Sequence, residues 1–411
     1  MPLAAASPRL SSPAAAPHSI SPPAGRRPFV AAETFDRIEA ARDAWREIAP
    51  RAAASPYQDF DFSRLWLATI GAARGVKPLI VVARDAAGEV AALLPLGERD
   101  FGPLRFAQFL GGKDANFNLG LFRRGAVWAA KDVAALLEAA ARATTPRIDA
   151  FLLCNQPLDW QGAPNPLAAL PRQASPSSAY ESVLPDDFAA WRNAHLSTLA
   201  QQKLRRKVRR LERMGPVVCR RAADSADADR LLAAFFAQKS ARMGARGLVN
   251  AYEAPEARAF IARLADCGLA AGAPTLELHG LFVGDRVVAT CGALGAGGRM
   301  SCLFLSHDGE TEIARSSPGE VIVQAVVRDA IARGFKTFDL GVGEARYKDE
   351  ACEVEEPLFD SAFTVSPAGR VAACAFLARQ RLKRRVKRSP RLLSLTRKLV
   401  TLSHGLHVAA P

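Results

Sequence analysis

The spacing of apolar and polar residues predicts the same succession of helices and strands in both halves of the chain. Residues 60–70 place apolar side chains at helical spacing, and residues 78–98 alternate around a turn, as two paired strands do. A third strand over 104–112, an Ala-rich helix over 131–142 and a strand over 147–155 complete the first unit. The pattern therefore predicts a mixed α/β unit in the first half.

The second half repeats this order, with three helical stretches before three strands within residues 276–308. The helical stretches cover residues 198–214, 227–243 and 256–266. The turns Gly284-Asp285 and Gly297-Gly298 supply the positive φ angles that tight hairpins need. The recurrence favours an internal duplication, and chance repetition of a common α/β order is the alternative.

Composition sets the expected boundaries of these units. Residues 1–29 are rich in Ala, Pro and Ser, which is typical of a disordered leader. The two units are expected over 30–180 and 181–375, with a linker rich in Pro, Gly and Ser over 156–178. Residues 376–411 are predicted to form a basic helical tail.

The formal net charge of +14 and the pI of about 9.9 favour anionic partners. About ten Lys or Arg fall between Arg379 and Lys398, and no Asp or Glu follows Asp360. This basic tail suits an anionic membrane surface, while packing on the body or contact with RNA are alternatives. No apolar run approaches the ~18 residues of a membrane span. We expect a cytoplasmic protein, peripheral at most at the inner face of the membrane.

The cysteines and histidines indicate no metal site. The seven cysteines are widely spaced without a C-x-x-C pair, and the six histidines are scattered. We therefore expect reduced, intracellular thiols with neither a disulfide framework nor a bound metal.

One segment combines a helix start, a strand end and several reactive side chains. It reads SSPGEVIVQAVVRDAIARGFKTFDLGVGEARYKDEA and spans residues 316–351. A capping box of Ser317 and Glu320 is predicted to begin the helix, with Pro318 at its first position. A short strand follows, and α/β folds place ligands at the ends of such strands. The residues at or just past this end are Asp339, Gly341, Gly343, Arg346, Tyr347 and Lys348.

Together with the basic helix LRRKVRRLERMG and the hairpins between them, this segment resembles the GNAT and Fem-type acyltransferase superfamily. In particular it is similar to the CelD-like acetyltransferases associated with cellulose biosynthesis. The resemblance covers approximately residues 60–373. It implies an α/β fold of tandem GNAT-like (acyl-CoA N-acyltransferase) lobes, each a mixed, largely antiparallel sheet flanked by helices. The leader and the tail lie outside it.

Members of that superfamily bind an acyl thioester where two adjacent strands splay apart, and an amine attacks its carbonyl. The resemblance implies acetyl-CoA as co-substrate, with its pyrophosphate at the helix start, where free amides and the helix dipole favour phosphate. The implied donor-binding residues are Arg315, Ser316, Ser317, Gly319 and Leu305.

Catalytic and acceptor-binding roles follow from the same resemblance. Tyr347 is the expected acid for the leaving thiolate, and Lys348 matches a lysine that Fem-type transferases place near the acyl channel. Asp339 is expected to orient the amine or to hold the corner. The expected acceptor-binding residues are Asn116, Asn118, Gly341, Gly343 and Arg346. For the two asparagines, a loop with local side-chain bonds is an equal alternative.

The helix start departs from the usual GNAT loop, Q/R-x-x-G-x-G/A, because this chain reads ARSSPGE and Glu320 adds a negative charge. The leading hypothesis is an N-acyltransferase that moves an acyl, expected to be acetyl, group from acyl-CoA to an amine by direct attack. The acceptor is expected to be a sugar or an envelope-polysaccharide precursor. Two alternatives stay open: a Fem-type transferase using aminoacyl-tRNA, and a non-catalytic protein of this fold in a polysaccharide synthesis complex. Specific nucleic-acid binding beyond tRNA is not expected.

Overall fold

A computed structural model describes residues 28–344, 348 and 351–389 of the chain. Most of the predicted leader, the end of the predicted tail, Arg346 and Tyr347 lie outside these residues. The strands are β1 Ala31–Phe35, β2 Lys77–Arg84, β3 Val90–Phe101, β4 Leu104–Phe109, β5 Leu121–Phe122, β6 Ala150–Pro157, β7 Asp159–Trp160, β8 Ala163–Pro164, β9 Arg172–Ala174, β10 Ala179–Val183, β11 Val217–Arg221, β12 Glu277–Val283, β13 Arg286–Ala296, β14 Arg299–His307, β15 Thr337–Val342, β16 Val354–Glu356 and β17 Leu358–Thr364. The helices are α1 Arg42–Ile48, α2 Phe60–Trp66, α3 Ala130–Arg142, α4 Phe188–His195, α5 Thr198–Glu212, α6 Ser225–Gly244, α7 Pro255–Asp266, α8 Thr311–Ala314, α9 Pro318–Ala332 and α10 Pro367–Arg388.

Two large sheets form the protein. The first has the order β1-β2-β3-β4-β6-β17-β9, with the short β5 beside β3, and the second has the order β11-β12-β13-β14-β15-β10-β16. Neighbouring strands are antiparallel except for one parallel pair in each sheet, β4–β6 and β14–β15. The predicted arrangement of two mixed, largely antiparallel sheets flanked by helices is thus confirmed.

Each sheet takes an inner strand from the other half of the chain. Strand β10 lies between β15 and β16 in the second sheet, and β17 lies between β6 and β9 in the first. Strand β9 is part of the stretch predicted as a linker, so that stretch contains regular structure. The exchange ties the two sheets together, because separating them would break the backbone hydrogen bonds of both strands.

Three groups of buried apolar side chains stabilise this arrangement. One lies between α3 and the first sheet, one lies between α9 and the second sheet, and the third is shared by both halves. In the shared core, Phe62 of α2 meets Phe260 of α7 edge to face, with ring centroids 5.3 Å apart. Such a pair contributes about 0.5–1.5 kcal/mol beyond the area that it buries. The halves therefore pack through a common hydrophobic core.

Helix α9 forms where its apolar spacing predicts. Val323, Val327 and Ile331 recur at intervals of four residues, and all three are buried against the second sheet. Gly334 follows with a φ of 81°, a left-handed conformation that glycine adopts without strain and that ends the helix. Because β15 begins only three residues later, the helix returns the chain directly to the sheet beside β14.

Candidate active site

The parallel pair β14–β15 separates after a short contact. The strands pair at Arg299–Thr337, Met300–Phe338 and Ser301–Asp339, and no further pairing follows, although β14 continues to His307. The carboxyl-terminal parts of both strands are therefore splayed, as the resemblance implied for the second half. A splay exposes backbone groups of a sheet interior to whatever lies in the gap.

A side chain from the first half closes the narrow end of this gap. Asn116 donates from Nδ2 to the Cys302 carbonyl at 3.1 Å, and its Oδ1 accepts from the Val342 amide at 3.3 Å. It thus bridges the two strands where they stop pairing. A Cβ atom at Gly341 would lie 2.4 Å from Asn116 Nδ2, and Gly341 has a φ of 70°. Glycine is required at position 341 because the Asn116 side chain approaches its backbone too closely for any Cβ atom.

Behind Asn116, a chain of buried hydrogen bonds leads to Asp339. Asn116 Nδ2 donates to Tyr57 Oη at 2.6 Å, and Tyr57 Oη lies 2.9 Å from Ser301 Oγ. Ser301 in turn donates to Asp339 Oδ1 at 2.9 Å, so the Tyr57 hydroxyl is the donor to Ser301. Burial, with the Asp339 charge acting second, raises the pKa of Tyr57 well above its ordinary value. The tyrosine is therefore a neutral hydrogen-bonding link between the halves.

Asp339 is fully buried, and both of its oxygens are engaged. Oδ1 also accepts from the Gly341 amide at 2.9 Å, and Oδ2 accepts from Arg299 Nε at 2.8 Å. Arg299 further pairs with Glu356 at 2.8 Å and Glu181 at 3.3 Å. Of the two roles expected for Asp339, this geometry is that of a residue that holds the corner of the sheet.

Lys348 lies at the same end of β15, as the sequence predicted. Its Nζ donates to the carbonyls of Gly341 at 3.0 Å and Val342 at 3.3 Å, and the residue is buried. Burial lowers the pKa of Lys348, while the nearby Cys302 and Asp339 act in the opposite direction. A cation held by neutral carbonyls is well placed to attract negative charge that forms in the gap.

The predicted capping box at the start of α9 does not form. Ser317 has a φ of 46° and its side chain caps nothing, while the Glu320 carboxylate pairs with Lys207 of α5. An N-cap residue ordinarily has an extended backbone, and the left-handed conformation of Ser317 departs from it. Ser316 is fully buried, and its hydroxyl has no hydrogen-bond partner among the described residues.

The other predicted donor-binding residues surround the open end of the splay. A Cβ atom on Gly319 would lie 3.3 Å from the His307 ring at the end of β14. Arg315 is exposed and pairs with Glu312 at 2.9 Å. The Leu305 carbonyl lies 3.4 Å from Lys239 Nζ of α6. These residues lie along the wide end of the gap.

The wide end is electropositive. Phe304 of β14 does not add to it, because its ring stacks on Phe235 with centroids 3.9 Å apart in the core shared by both halves. Burial lowers the pKa of His307, and the charges of Arg242 and Arg246 lower it further. These arginines therefore lie close enough to His307 to favour an anion beside it.

Two further predicted residues lie away from the narrow end. Asn118 lies in the loop before β5, next to the first sheet, and its Nδ2 donates to the carbonyls of Gly112 at 2.9 Å and Cys154 at 3.0 Å. Gly343 donates from its amide to the Ser178 carbonyl at 3.0 Å. The structure thus brings together Asn116, Asp339, Gly341 and Lys348. Tyr57, Ser301 and Arg299 join them without any sequence signal, since Tyr57 and Ser301 are 244 positions apart.

Within the described ranges, one group has side chains close enough to share a cation: Glu277, His279 and Asp329. Arg333 already donates to both carboxylates, at 2.6 Å to Glu277 and 3.1 Å to Asp329. Burial opposes ionisation of Glu277, but His279, whose Nε2 lies 3.6 Å away, and the hydrogen bonds from Arg333 lower its pKa to about 2. The group is therefore explained as an ion pair between α9 and β12.

Comparisons with known proteins agree with this geometry. Residues 200–349 match the model of the acetyltransferase (GNAT) domain. The crystal structure of FemX has a TM-score of 0.54 at 10% identity, over 80% of this chain and 97% of that one. A conserved protein of unknown function from Bacteroides thetaiotaomicron VPI-5482 has a TM-score of 0.50 at 11% identity, over 80% of this chain and 98% of that one. A search of curated proteins found no match. Residues 200–349 are thus similar to a GNAT acetyltransferase domain, and the chain has the tandem GNAT fold.

Proposed function

We propose that this protein is an N-acyltransferase that transfers an acetyl group from acetyl-CoA to an amine on a sugar or an envelope-polysaccharide precursor. The observation that carries the proposal is the splay of β14 and β15 with Lys348 at its narrow end. A thioester carbonyl in this gap would lie among backbone groups without strand partners and beside a buried cation. Both would lower the energy of the oxyanion that forms on attack.

The wide end of the gap suits the phosphates of the donor. Lys239 and Arg242 of α6, Arg246 just after it and Arg315 before α9 supply positive charge around His307 and the helix start. The thioester would extend from there toward Lys348. The amine attacks directly, and the leaving thiolate takes a proton from an acid, for which Tyr347 stays our prediction.

One observation favours a second candidate function. The Glu320 carboxylate lies in the first turn of α9, where a pyrophosphate would bind, and Lys207 neutralises it. An aminoacyl-tRNA donor needs no pyrophosphate at this point, and the exposed cations of α5 suit an RNA backbone. The reaction would still be acyl transfer to an amine.

Calorimetric titration with acetyl-CoA separates these functions. We expect a Kd on the order of micromolar, equivalent to about −8 kcal/mol. Ser317→Asp adds a charge beside Glu320 and should weaken binding about tenfold or more. The matched control is Ser225→Asp, which adds the same charge at the start of α6 and should bind like the wild type.

Each result has a distinct meaning. Tight acetyl-CoA binding that only Ser317→Asp weakens supports the proposal. If acetyl-CoA does not bind but aminoacyl-tRNA does, with an affinity that falls steeply with salt, the second function holds. If neither donor binds, the protein is a non-catalytic member of this fold.

A further inference from the structure

A cavity of about 580 Å³ lies at the separated ends of β4 and β6, in the first sheet. These strands pair only at Phe106–Ala150 and Ala107–Phe151, so they splay as β14 and β15 do. Gln108 of β4 and Cys154 of β6 belong to its lining. Residues of α10 line it as well, so the carboxyl-terminal helix completes a site in the amino-terminal sheet.

The charge of this cavity has a single sign. Its cationic lining residues are Arg74, Arg99, Lys113, Arg379, Lys383 and Lys387, and none of its described lining residues is Asp or Glu. The nearby Asp114 pairs with Arg74 at 2.5 Å, and Glu344 accepts from Ser177 at 3.2 Å. A concave surface lined by cations concentrates its electric field and attracts anions.

Hydrogen bonds hold α10 over the cavity. Lys387 Nζ donates to Ser177 Oγ at 2.6 Å, and Gln380 Nε2 lies 3.6 Å from Cys154 Sγ. Burial lowers the pKa of Lys387; the charge of Lys383 acts in the same direction, and that of Glu344 opposes it. Lys383 and Lys387 are thus close enough to repel each other, and an anion between them would relieve that repulsion.

A buried side-chain oxygen without a hydrogen-bond partner also indicates a ligand. Asn118 lines the cavity and is fully buried, and its Oδ1 has no hydrogen-bond partner among the described residues. Its Nδ2 is fixed by the carbonyls of Gly112 and Cys154, which sets the direction of Oδ1. A buried carbonyl oxygen without a donor is unfavourable, and a hydroxyl or amide of a ligand would satisfy it.

We propose that this cavity is a second ligand site, which binds a soluble small molecule carrying both phosphate and hydroxyl groups. The six cations hold the phosphate, and Asn118 accepts from a hydroxyl. The inference concerns binding in the first sheet, so it holds or fails independently of the acyl donor in the second. Asn116 and Val342 also line the cavity, and it therefore reaches the narrow end of the β14–β15 gap.

Calorimetry with glucose 1-phosphate, inorganic pyrophosphate and glucose tests the site on the full-length protein. Both phosphate compounds should bind, and glucose should not. The double variant Arg379→Ala with Lys383→Ala should weaken both phosphate compounds about tenfold or more, because it removes two charged contacts. The matched control is Arg385→Ala, a cation of the same helix outside the cavity lining, which should bind like the wild type. Thermal unfolding checks that the variants are folded.

Three results would overturn the proposal. The first is equal weakening in Arg385→Ala and the double variant, since binding would then reflect the basic surface in general. The second is no difference between glucose 1-phosphate and glucose. The third is binding only to phosphatidylglycerol vesicles in a flotation assay, lost in the double variant, which would assign these cations to a membrane surface. If the double variant does not fold, Lys383→Gln alone tests the same contact.

Discussion

Each sheet contains one parallel strand pair whose strands separate, β4–β6 in the first and β14–β15 in the second. The side chains around the two gaps differ in charge. At the first, six cations surround a cavity whose described lining has no carboxylate. At the second, Arg299 is surrounded by Asp339, Glu356 and Glu181. One gap is open and cationic, and the other is sealed at its narrow end by Asn116.

This difference suggests how a duplicated fold acquires two tasks. Splaying a parallel pair exposes backbone groups in both sheets, and the side chains added around them decide what each gap does. In the second sheet, buried ion pairs fix the strands and leave Lys348 beside the gap. In the first, the strands are covered by α10, which brings its own cations. We infer that the second sheet carries the chemistry and that the first binds a ligand.

The largest effect is expected from Arg299→Met, which removes the centre of the acidic cluster. The guanidinium also lies 4.2 Å from the Trp160 ring centroid and 4.6 Å from that of Phe117, both in the first half. The buried Asp339 and the partly buried Glu356 and Glu181 would lose their partner, and the free energy of unfolding should fall by about 3–5 kcal/mol. Urea unfolding monitored by tryptophan fluorescence measures it. Arg286→Met, at an exposed pair, is the control and should cost less than about 1 kcal/mol.

A loss for Arg299→Met no greater than that of its control would mean that the acidic cluster does not fix the second splay. The contrast between the two gaps would then be one of charge alone.

The next effect concerns Lys348→Met, which removes the cation beside the gap and keeps a side chain of similar length. If Lys348 stabilises negative charge during acyl transfer, kcat should fall by about 10²–10³-fold. Release of free CoA thiol measures the rate. Lys336→Met, at an exposed lysine just before β15, should leave kcat unchanged. An unchanged kcat in Lys348→Met would remove the chemistry from this gap.

The sequence predicted the elements better than the way they assemble. The segment from Ser316 to Ala351 contains the local signals of an apolar helix, a glycine stop and a strand, and α9 and β15 form there. The exchange of β10 and β17 has no such signal, because a five-residue strand reads the same in either sheet. Single-sequence patterns report the period of an element and not its partner.

The same limit explains which site residues were found. Asp339, Gly341 and Lys348 are close in sequence, so their spacing indicated a shared corner. Tyr57 and Ser301 meet only because the halves pack together. Ser317 takes a left-handed conformation, which a serine in the sequence does not predict. The roles of Tyr347 and Arg346, which lie outside the described residues, stay predictions.

A pH dependence should follow from Glu356, the third member of the acidic cluster. Burial raises its pKa from the ordinary 4.5 to about 7, although Arg299 acts against the shift. Because the native state then binds the proton more tightly, its stabilising contribution is complete below pH 4.5 and is lost as pH rises through about 7. Glu356→Gln should abolish a fall of about 3 kcal/mol across this window.

Urea unfolding at a series of pH values from 4.5 to 8 measures this effect. Burial lowers the pKa of His195, but its hydrogen bond to Glu353, its bond to the Trp191 carbonyl and the Glu353 charge together raise it, so His195 titrates in the same direction. Only the difference between wild type and Glu356→Gln therefore reports Glu356. Glu355→Gln, at the exposed neighbour, is the control and should keep the wild-type pH dependence. If the plots of unfolding free energy against pH run parallel for wild type and Glu356→Gln, Glu356 takes up no proton in this window and the prediction is wrong.

The smallest effect is expected from Tyr57→Phe, which removes one hydroxyl where the first half seals the second gap. Asn116 and Ser301 would each lose a buried partner, at 2.6 and 2.9 Å, and the free energy of unfolding should fall by about 1–3 kcal/mol. The control is Tyr252→Phe, at a tyrosine whose ring packs on Phe235 and whose hydroxyl is not part of the Asn116–Tyr57–Ser301 chain, and it should change stability by less than about 0.5 kcal/mol. If both variants are equally stable, the seal depends on Asn116 alone. The first half would then reach the second gap through one side chain, and the contrast between an open and a sealed splay would depend on a single residue.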